Sequence, residues 1–486
     1  MIVIGIDIGT TGAKAVAAEE TGEIIGRGYC EYAVDTPKPD WVIQDAGDWW
    51  EACVRAVRAA LASVRDKNAA AALCVSAQGA TMLAADANGS PLCPAITWMD
   101  ARAQKETAKL EEKFGEEMIY EKSGWSPSPS LDASKIMWIQ KNDPELFSSA
   151  ASFLSTLEFI NIKLTGKNII DPTCASIRQL MDIKTGRWDT GILDFIKITE
   201  NRLPKILPSG EFIGELTQKA SEELGLPQSV KVYNGAHDQY CSAIGSKTLE
   251  PGDVLLATGT TWVAFGVTEK PLYSKSRLSP GIFPLTGRHG AIASLVSAGS
   301  ALKWWKNIIG EDYAVIDLQA AGRTRMESAA DLLFYPYVAG AGLLHEPHEK
   351  AAVCGMTLMH DKYDIARALM EGVAFEARLL LEEFAQCGMG EKTKKLTKLT
   401  MTGGAAKSKL WREITGYVSG CGINITEEPD SACVGAAMIA AAGLGIYPNL
   451  QSCAEKFVKR ETLELTDAGQ YGFYEKKYKR YLEKFN

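Results

Sequence analysis

Two short strings put glycine amides and threonine hydroxyls where an anion would sit. In Asp7-Ile8-Gly9-Thr10-Thr11-Gly12-Ala13-Lys14 the glycines let the backbone approach an anion, Thr10 and Thr11 add donors, and Lys14 adds positive charge. Gly259-Thr260-Thr261 repeats the centre of that string 250 residues after Gly9. Asp7 has two readings: it caps its own hairpin turn, or it organises a hydrated Mg²⁺ that bridges to phosphate oxygens. Asp238, in Gly235-Ala236-His237-Asp238-Gln239-Tyr240, is likewise either a helix cap or a general base. Such a base is what a sugar or polyol hydroxyl needs in order to attack a phosphoryl group. Gly403-Gly404-Ala405-Ala406-Lys407-Ser408 either starts a helix or lets a purine and ribose lie against main chain. His345-Glu346-Pro347-His348 does not read as a metal pair, because the proline prevents a regular helical display. No G-x-x-x-x-G-K-[ST] string occurs and no G-x-G-x-x-G follows a strand, so a bound nucleotide would need a different cradle.

These groups need elements to hold them. Residues 2–8 read as a buried strand, and 14–18 as its hairpin return. Helical spacing covers 49–64, short strands are expected at 73–76 and 231–235, and the alternation argues for α/β layers. A second half opens on Val254–Thr258, an apolar run that again closes on Gly-Thr-Thr and hints at two related domains. The turn-rich Leu249–Asp253 is the boundary candidate. Helices are expected over 363–381 and 409–418. A C-terminal stripe of Tyr471, Tyr474, Tyr478, Tyr481 and Phe485 is expected to pack on the body, and Lys392–Lys398 to form a solvated loop.

The 486 residues suffice for two or three domains, and 46% hydrophobic with 23% charged residues excludes a mainly disordered chain. A net charge of −8 gives no global support for nucleic-acid binding. The eleven cysteines show no C-x-x-C spacing, so neither a disulfide framework nor a zinc site is expected. The first residues lack the basic start and cleavage site of a signal peptide, and Ala432–Ile446 is too short and glycine-rich to span a bilayer comfortably. The expectation is a cytoplasmic protein without a membrane or nucleic-acid partner.

Taken together, Ile4–Thr11, Ile96–Arg102, Ala236–Gln239, Thr258–Thr261 and Gly403–Ala405 resemble, in order and spacing, the FGGY carbohydrate kinases, most nearly the xylulokinase-type members. Leu333–Gly340 and Ser431–Gly445 extend the resemblance towards the C-terminus. It implies an α/β, two-domain actin-like or ribonuclease H-like ATPase fold with an interdomain cleft. The domains would be 1–246 (sugar, first phosphate loop, base) and 247–486 (second phosphate loop, adenosine). The implied catalytic base is Asp238, with Asp7 and Asp238 holding Mg²⁺ through water. The implied nucleotide contacts are Thr10, Thr11, Lys14, Gly259, Thr260, Gly299, Lys303, Gly404 and Ser408. Gln78, Trp98, Asp100 and Gln239 would line the acceptor pocket, and a homodimer is left open. This chain departs from xylulokinases in running Gln78-Gly79-Ala80 where they carry Met-His after the glutamine, and in having Gly340-Ala341-Gly342-Leu343-Leu344-His345 in place of a charged stretch. The Arg-Glu pair of glycerol kinases is absent as well, which disfavours glycerol. D-xylulose or a related ketopentose leads, with another ketose, a deoxy sugar or a polyol as alternatives. From another class, a non-catalytic actin-like ATP-binding protein would use the same loops without needing Asp238.

Overall fold

The computed structural model describes residues 1–284, 287–323, 331–340, 349–389, 398–426 and 428–483. Its backbone contacts divide it into two compact units. The first comprises Met1–Leu249, Ser279–Gly290 and Asp430–Val458; the second comprises Glu250–Leu278, Ala291–Pro429 and Lys459–Asn486.

The first unit is built on a six-stranded sheet in the order Phe212–Glu215, Lys231–His237, Ala70–Ala77, Ile2–Ile8, Gly12–Glu19, Ile24–Glu31. Ile2–Ile8 pairs antiparallel with its hairpin partner and parallel with Ala70–Ala77, which is parallel to Lys231–His237. The apolar run of the opening strand is buried almost throughout, as a parallel strand covered on both faces must be. Helix Ala46–Ala60 covers the hairpin strands; Asp45 caps it by accepting from the Gly47 amide, and Trp49, Cys53, Ala56 and Val57 form its buried face. Helix Ser431–Gly443 packs on Ile2–Ile8 and on helix Asp238–Gly245. The two helices cross with their main chains touching. A Cβ at Gly435 would lie 1.9 Å from the Cys241 carbonyl oxygen, and one at Gly245 would lie 1.9 Å from that of Ser431.

The second unit repeats this plan. Its strands His289–Leu295, Trp262–Thr268, Val254–Thr258, Lys398–Gly403, Gly422–Thr426 and Arg460–Leu463 follow one another in its sheet. Val254–Thr258 is antiparallel to its hairpin partner and parallel to Lys398–Gly403, which is parallel to Gly422–Thr426, with an antiparallel strand last. The order of these strands, and the senses of the four pairs from Trp262–Thr268 to Arg460–Leu463, match those of the first sheet, so the duplication suggested by the two Gly-Thr-Thr strings is present in the topology. Helix Lys362–Gln386 starts from a capping box made by Asp361 and Asp364. Against it lie buried tyrosines of helix Ala468–Leu482: the hydroxyls of Tyr474, Tyr478 and Tyr481 donate to Glu371 (3.1 Å), Glu382 (2.8 Å) and Glu376 (2.6 Å). The aromatic stripe is thus packing; Tyr471 is half-buried, and Phe485 lies outside the described residues.

A linear split at 246/247 does not follow the compact units, because Asp430–Val458 belongs with the first. The Ala341–His345 part of the departing stretch, the histidines at 345 and 348, and all of the Lys392–Lys398 run except its last residue lie outside the described residues. Among the described residues no helix is long and apolar enough to cross a membrane.

Candidate active site

In the first unit the C-terminal ends of three parallel strands collect the candidate acids. In register, Asp7 lies beside Ser76 and Ser76 beside Ala236, so Asp238, two residues further on, stands at the same end of the sheet. This is the end at which open α/β sheets bind ligands. Asp238 opens helix Asp238–Gly245, with His237 in the cap position. It therefore does not cap the helix but sits in its first turn, where the helix dipole favours negative charge. His237 is fixed through its amide, which donates to Thr173 Oγ1 at 2.7 Å, and Thr173 in turn donates to the buried Asp171 at 2.6 Å.

The electrostatics are those of two acids partly withdrawn from water. Burial first, and the negative charge of Asp238 second, push the Asp7 carboxyl up to about 7, against the Ser76 hydroxyl, which donates to it at 2.7 Å, and Lys14. Burial raises Asp238 to about 6, opposed by hydrogen bonds from the side chain and backbone of Gln239. Burial also lowers His237 to about 4, so the imidazole 3.3 Å from Asp238 Oδ1 is neutral at neutral pH.

The neighbouring side chains leave acceptors waiting. Gln78 Oε1, Gln239 Oε1 and Asp238 Oδ1 are buried with no hydrogen-bond partner. Gln78 Nε2 donates to Gln44 Oε1 at 3.0 Å, and Gln44 Nε2 donates to the Thr10 carbonyl at 2.6 Å, which ties Gln78 to the Gly9-Thr10-Thr11 turn. Trp98, an exposed ring, donates from Nε1 to Thr10 Oγ1 at 3.0 Å. Thus Asp7, Thr10, Gln78, Trp98, Asp238 and Gln239 are brought together.

Asp100 is not available in the same way. It is fully buried, Arg102 Nε donates to both its oxygens at 2.9 and 3.0 Å, and its Oδ2 also accepts from the Val42 amide at 2.7 Å. The expected direct contact with a ligand gives way to a role in fixing the turn that carries Trp98. Lys14 forms an ion pair with Asp430 at 3.1 Å, a second acid that Arg27 also reaches at 3.1 Å, and Thr11 is exposed at the hairpin tip.

The second unit holds one cavity of about 590 Å³ lined by Gly259, Thr260, Gly299, Lys303, Gly404 and Ser408 together, every nucleotide-side residue expected in that half. Thr258 closes one end of it. Its Oγ1 donates to the Thr402 carbonyl at 2.5 Å and accepts from the Ala405 and Ala406 amides, which binds the two glycine loops to each other. Gly299 must lack a side chain here: a Cβ would come within 2.2 Å of the Gly259 carbonyl oxygen. Trp262 and Trp411, ring centroids 5.0 Å apart, supply an apolar wall, and Trp262 Nε1 is buried without a partner. Size, an apolar wall and a glycine-rich rim suit a nucleoside. Ser408 Oγ donates to Asp317 Oδ1 at 2.6 Å, bringing an acid to the rim that the sequence did not single out. Gln44, Ser76 and Asp317 were missed for a common reason: each acts through a partner at least 34 residues away, and no local pattern marks it.

Comparison with known proteins agrees with this geometry. The N-terminal domain of the FGGY family of carbohydrate kinases matches residues 2–245, and the C-terminal domain matches 254–444. A xylulose kinase of Escherichia coli is 29% identical over 479 residues, covering 97% of this chain and 96% of that protein. A gluconokinase of Bacillus subtilis is 27% identical over 461 residues, covering 92% and 87%. The crystal structure of a xyloylose kinase from Brucella ovis superposes with a TM-score of 0.91 at 26% identity, covering 100% of this chain and 99% of that one. Two matched domains over nearly the whole chain, each with a Gly-Thr-Thr turn at a strand end, make this protein a sugar kinase belonging to the FGGY family of carbohydrate kinases.

Proposed function

We propose that the protein transfers the γ-phosphoryl group of ATP to a hydroxyl of an uncharged ketose, with D-xylulose or a related ketopentose leading, and that Asp238 is the general base. The observation that carries this reading is the set of unpaired buried acceptors, Gln78 Oε1, Gln239 Oε1 and Asp238 Oδ1, at one strand-end mouth. A polyhydroxylated chain satisfies them by donating its hydroxyl protons, and one of those donors is then held against the base. A sugar acid fits less well. Among the described residues, the cations near this mouth are engaged: Lys14 with Asp430, Arg102 with Asp100, and Lys135 with main-chain carbonyls. His237 is neutral.

In the proposed step the acceptor oxygen forms a bond to the γ-phosphorus as the bond from that phosphorus to the leaving ADP oxygen breaks. Asp238 takes the hydroxyl proton. Gln78, Gln239 and Trp98 orient the sugar, and Thr10, Thr11 and Lys14 lie on its phosphate side. Gly259, Thr260, Gly299 and Lys303 hold the triphosphate end, and Gly404 and Ser408 the nucleoside. Two carboxyls raised by burial, one of them also by the charge of the other, suit a divalent cation, so Asp7 and Asp238 are the residues that would hold Mg²⁺ through water. When bound, it offsets phosphate charge. We further propose a cytoplasmic enzyme acting on small molecules, with a homodimer as its candidate assembly.

The test is ADP release measured across ketopentoses, deoxyketoses, polyols and aldonates. Ketose-dependent turnover that falls about 10²–10⁴-fold in Asp238→Asn, with nucleotide affinity retained, is the expected outcome. Turnover confined to aldonates would replace the acceptor assignment, and full activity in the variant would remove the base.

A further inference from the structure

A buried cation next to the acceptor residues takes no part in the chemistry above. Lys135, in helix Asp132–Asn142, is fully buried. Its ammonium donates to the carbonyl oxygens of Ala80 (2.7 Å), Ile96 (3.1 Å) and Thr97 (2.9 Å). These come from two separate stretches of chain. Ala80 follows Gln78 by two residues and holds a left-handed φ of 51°, while Ile96 and Thr97 lead directly into Trp98. A second link joins the same stretches, the Trp98 amide donating to Thr81 Oγ1 at 3.3 Å. A charged group is costly to bury, and here it is balanced by three aligned carbonyl dipoles and no direct ion pair. A neutral, apolar side chain of the same length would leave these three carbonyls without that donor, so the ammonium is what joins the two stretches.

We propose that Lys135 is a positioning residue of the acceptor site, its ammonium holding the Gln78 segment against the Trp98 segment so that both meet the sugar in a fixed geometry. The inference rests on the acceptor site assigned above. It adds a residue that touches no reacting atom and sets acceptor affinity through two others. Protonation matters because an ammonium has three donors for three carbonyls, whereas a neutral amine has two and turns a lone pair towards the third. Burial lowers this lysine to about 8, with the carboxylates of Asp132 and Asp100 opposing the shift and the guanidiniums of Arg102 and Arg178 adding to it.

Two measurements decide the matter. In Lys135→Met, compared with wild type at one pH, amide hydrogen exchange of 78–81 and of 96–99 should accelerate together by roughly tenfold or more. This readout needs no substrate, so it survives failure of the sugar-kinase assignment. In turnover, the variant's acceptor KM should rise about 10- to 100-fold, far more than kcat falls, with nucleotide affinity unchanged. Wild-type acceptor KM should climb as pH rises through about 8, and the variant's should stay flat. Unchanged exchange in both segments overturns the proposal, as does a pH dependence of KM that is the same in both proteins. Should Lys135→Met not fold, the wild-type profile decides alone, and a flat acceptor KM from about pH 7 to 9.5 overturns it.

Discussion

At the residue scale, the two acids at the sheet end cost stability for the sake of reactivity. The Asp7 carboxyl rises from 3.8 to about 7 on folding, so the folded state binds its proton more tightly than the unfolded chain. That contribution to stability is complete below about pH 4 and is lost as pH climbs through about 7. Asp7→Asn is neutral at every pH and should raise Tm at pH 8 by roughly 2–5 °C while nearly abolishing turnover, which differential scanning calorimetry and an ADP assay would show together. Asp238 rises less, to about 6, and must be ionised to take a proton. kcat/KM for the acceptor should therefore fall about tenfold per pH unit below about 6, a limb that glutamate at this position would displace. Both acids could be picked from the sequence because each ends an apolar run beside glycines or a helix start. What their surroundings do to them could not, since for Asp7 that depends on Ser76, Lys14 and Asp238, and for Asp238 on its burial.

At the scale of elements, the crossing of helices Asp238–Gly245 and Ser431–Gly443 couples packing to the position of the base. Helix propensity alone makes Gly435→Ala stabilising by about 1 kcal/mol. The contact makes it destabilising, by about 1–3 kcal/mol, because the new methyl would stand 1.9 Å from the Cys241 carbonyl oxygen and push the helices apart. Urea unfolding gives the sign, and a lowered kcat with intact nucleotide affinity would show that Asp238 moved with its helix. Sequence patterning locates the opening hairpin, a helix start near Asp238 and the strand-to-helix turn at Gly403, and marks 432–446 only as an apolar run. It did not reveal that Gly435 and Gly245 face one another, nor that Asp100 is spent on Arg102 and Val42, because both depend on pairings across the fold.

At the scale of the molecule, the chain passes through its first compact unit more than once. Residues 430–458 return to it before the chain goes back to complete the second unit with 459–486, and helix Ser431–Gly443 covers the opening strand. A fragment of residues 1–249 should therefore melt broadly or aggregate, although it spans the whole N-terminal family match. Fusing 430–458 to it through a flexible linker should restore a cooperative transition by circular dichroism. The repeat of Gly-Thr-Thr after an apolar strand made the duplication legible, while the return of the chain to the first unit carries no local mark.

The two sheets share strand order and the senses of their central strands, yet their opening strands differ at the acid. The position that corresponds to Asp7, two residues ahead of the Gly-Thr-Thr string, is Ala257 in the other copy. On the proposed assignment of donor and acceptor, a few substitutions on a shared scaffold separate the two roles. An engineer seeking a new acceptor can reface the tips of the first sheet, and leave the tryptophan-walled chamber of the second untouched, without redesigning either framework.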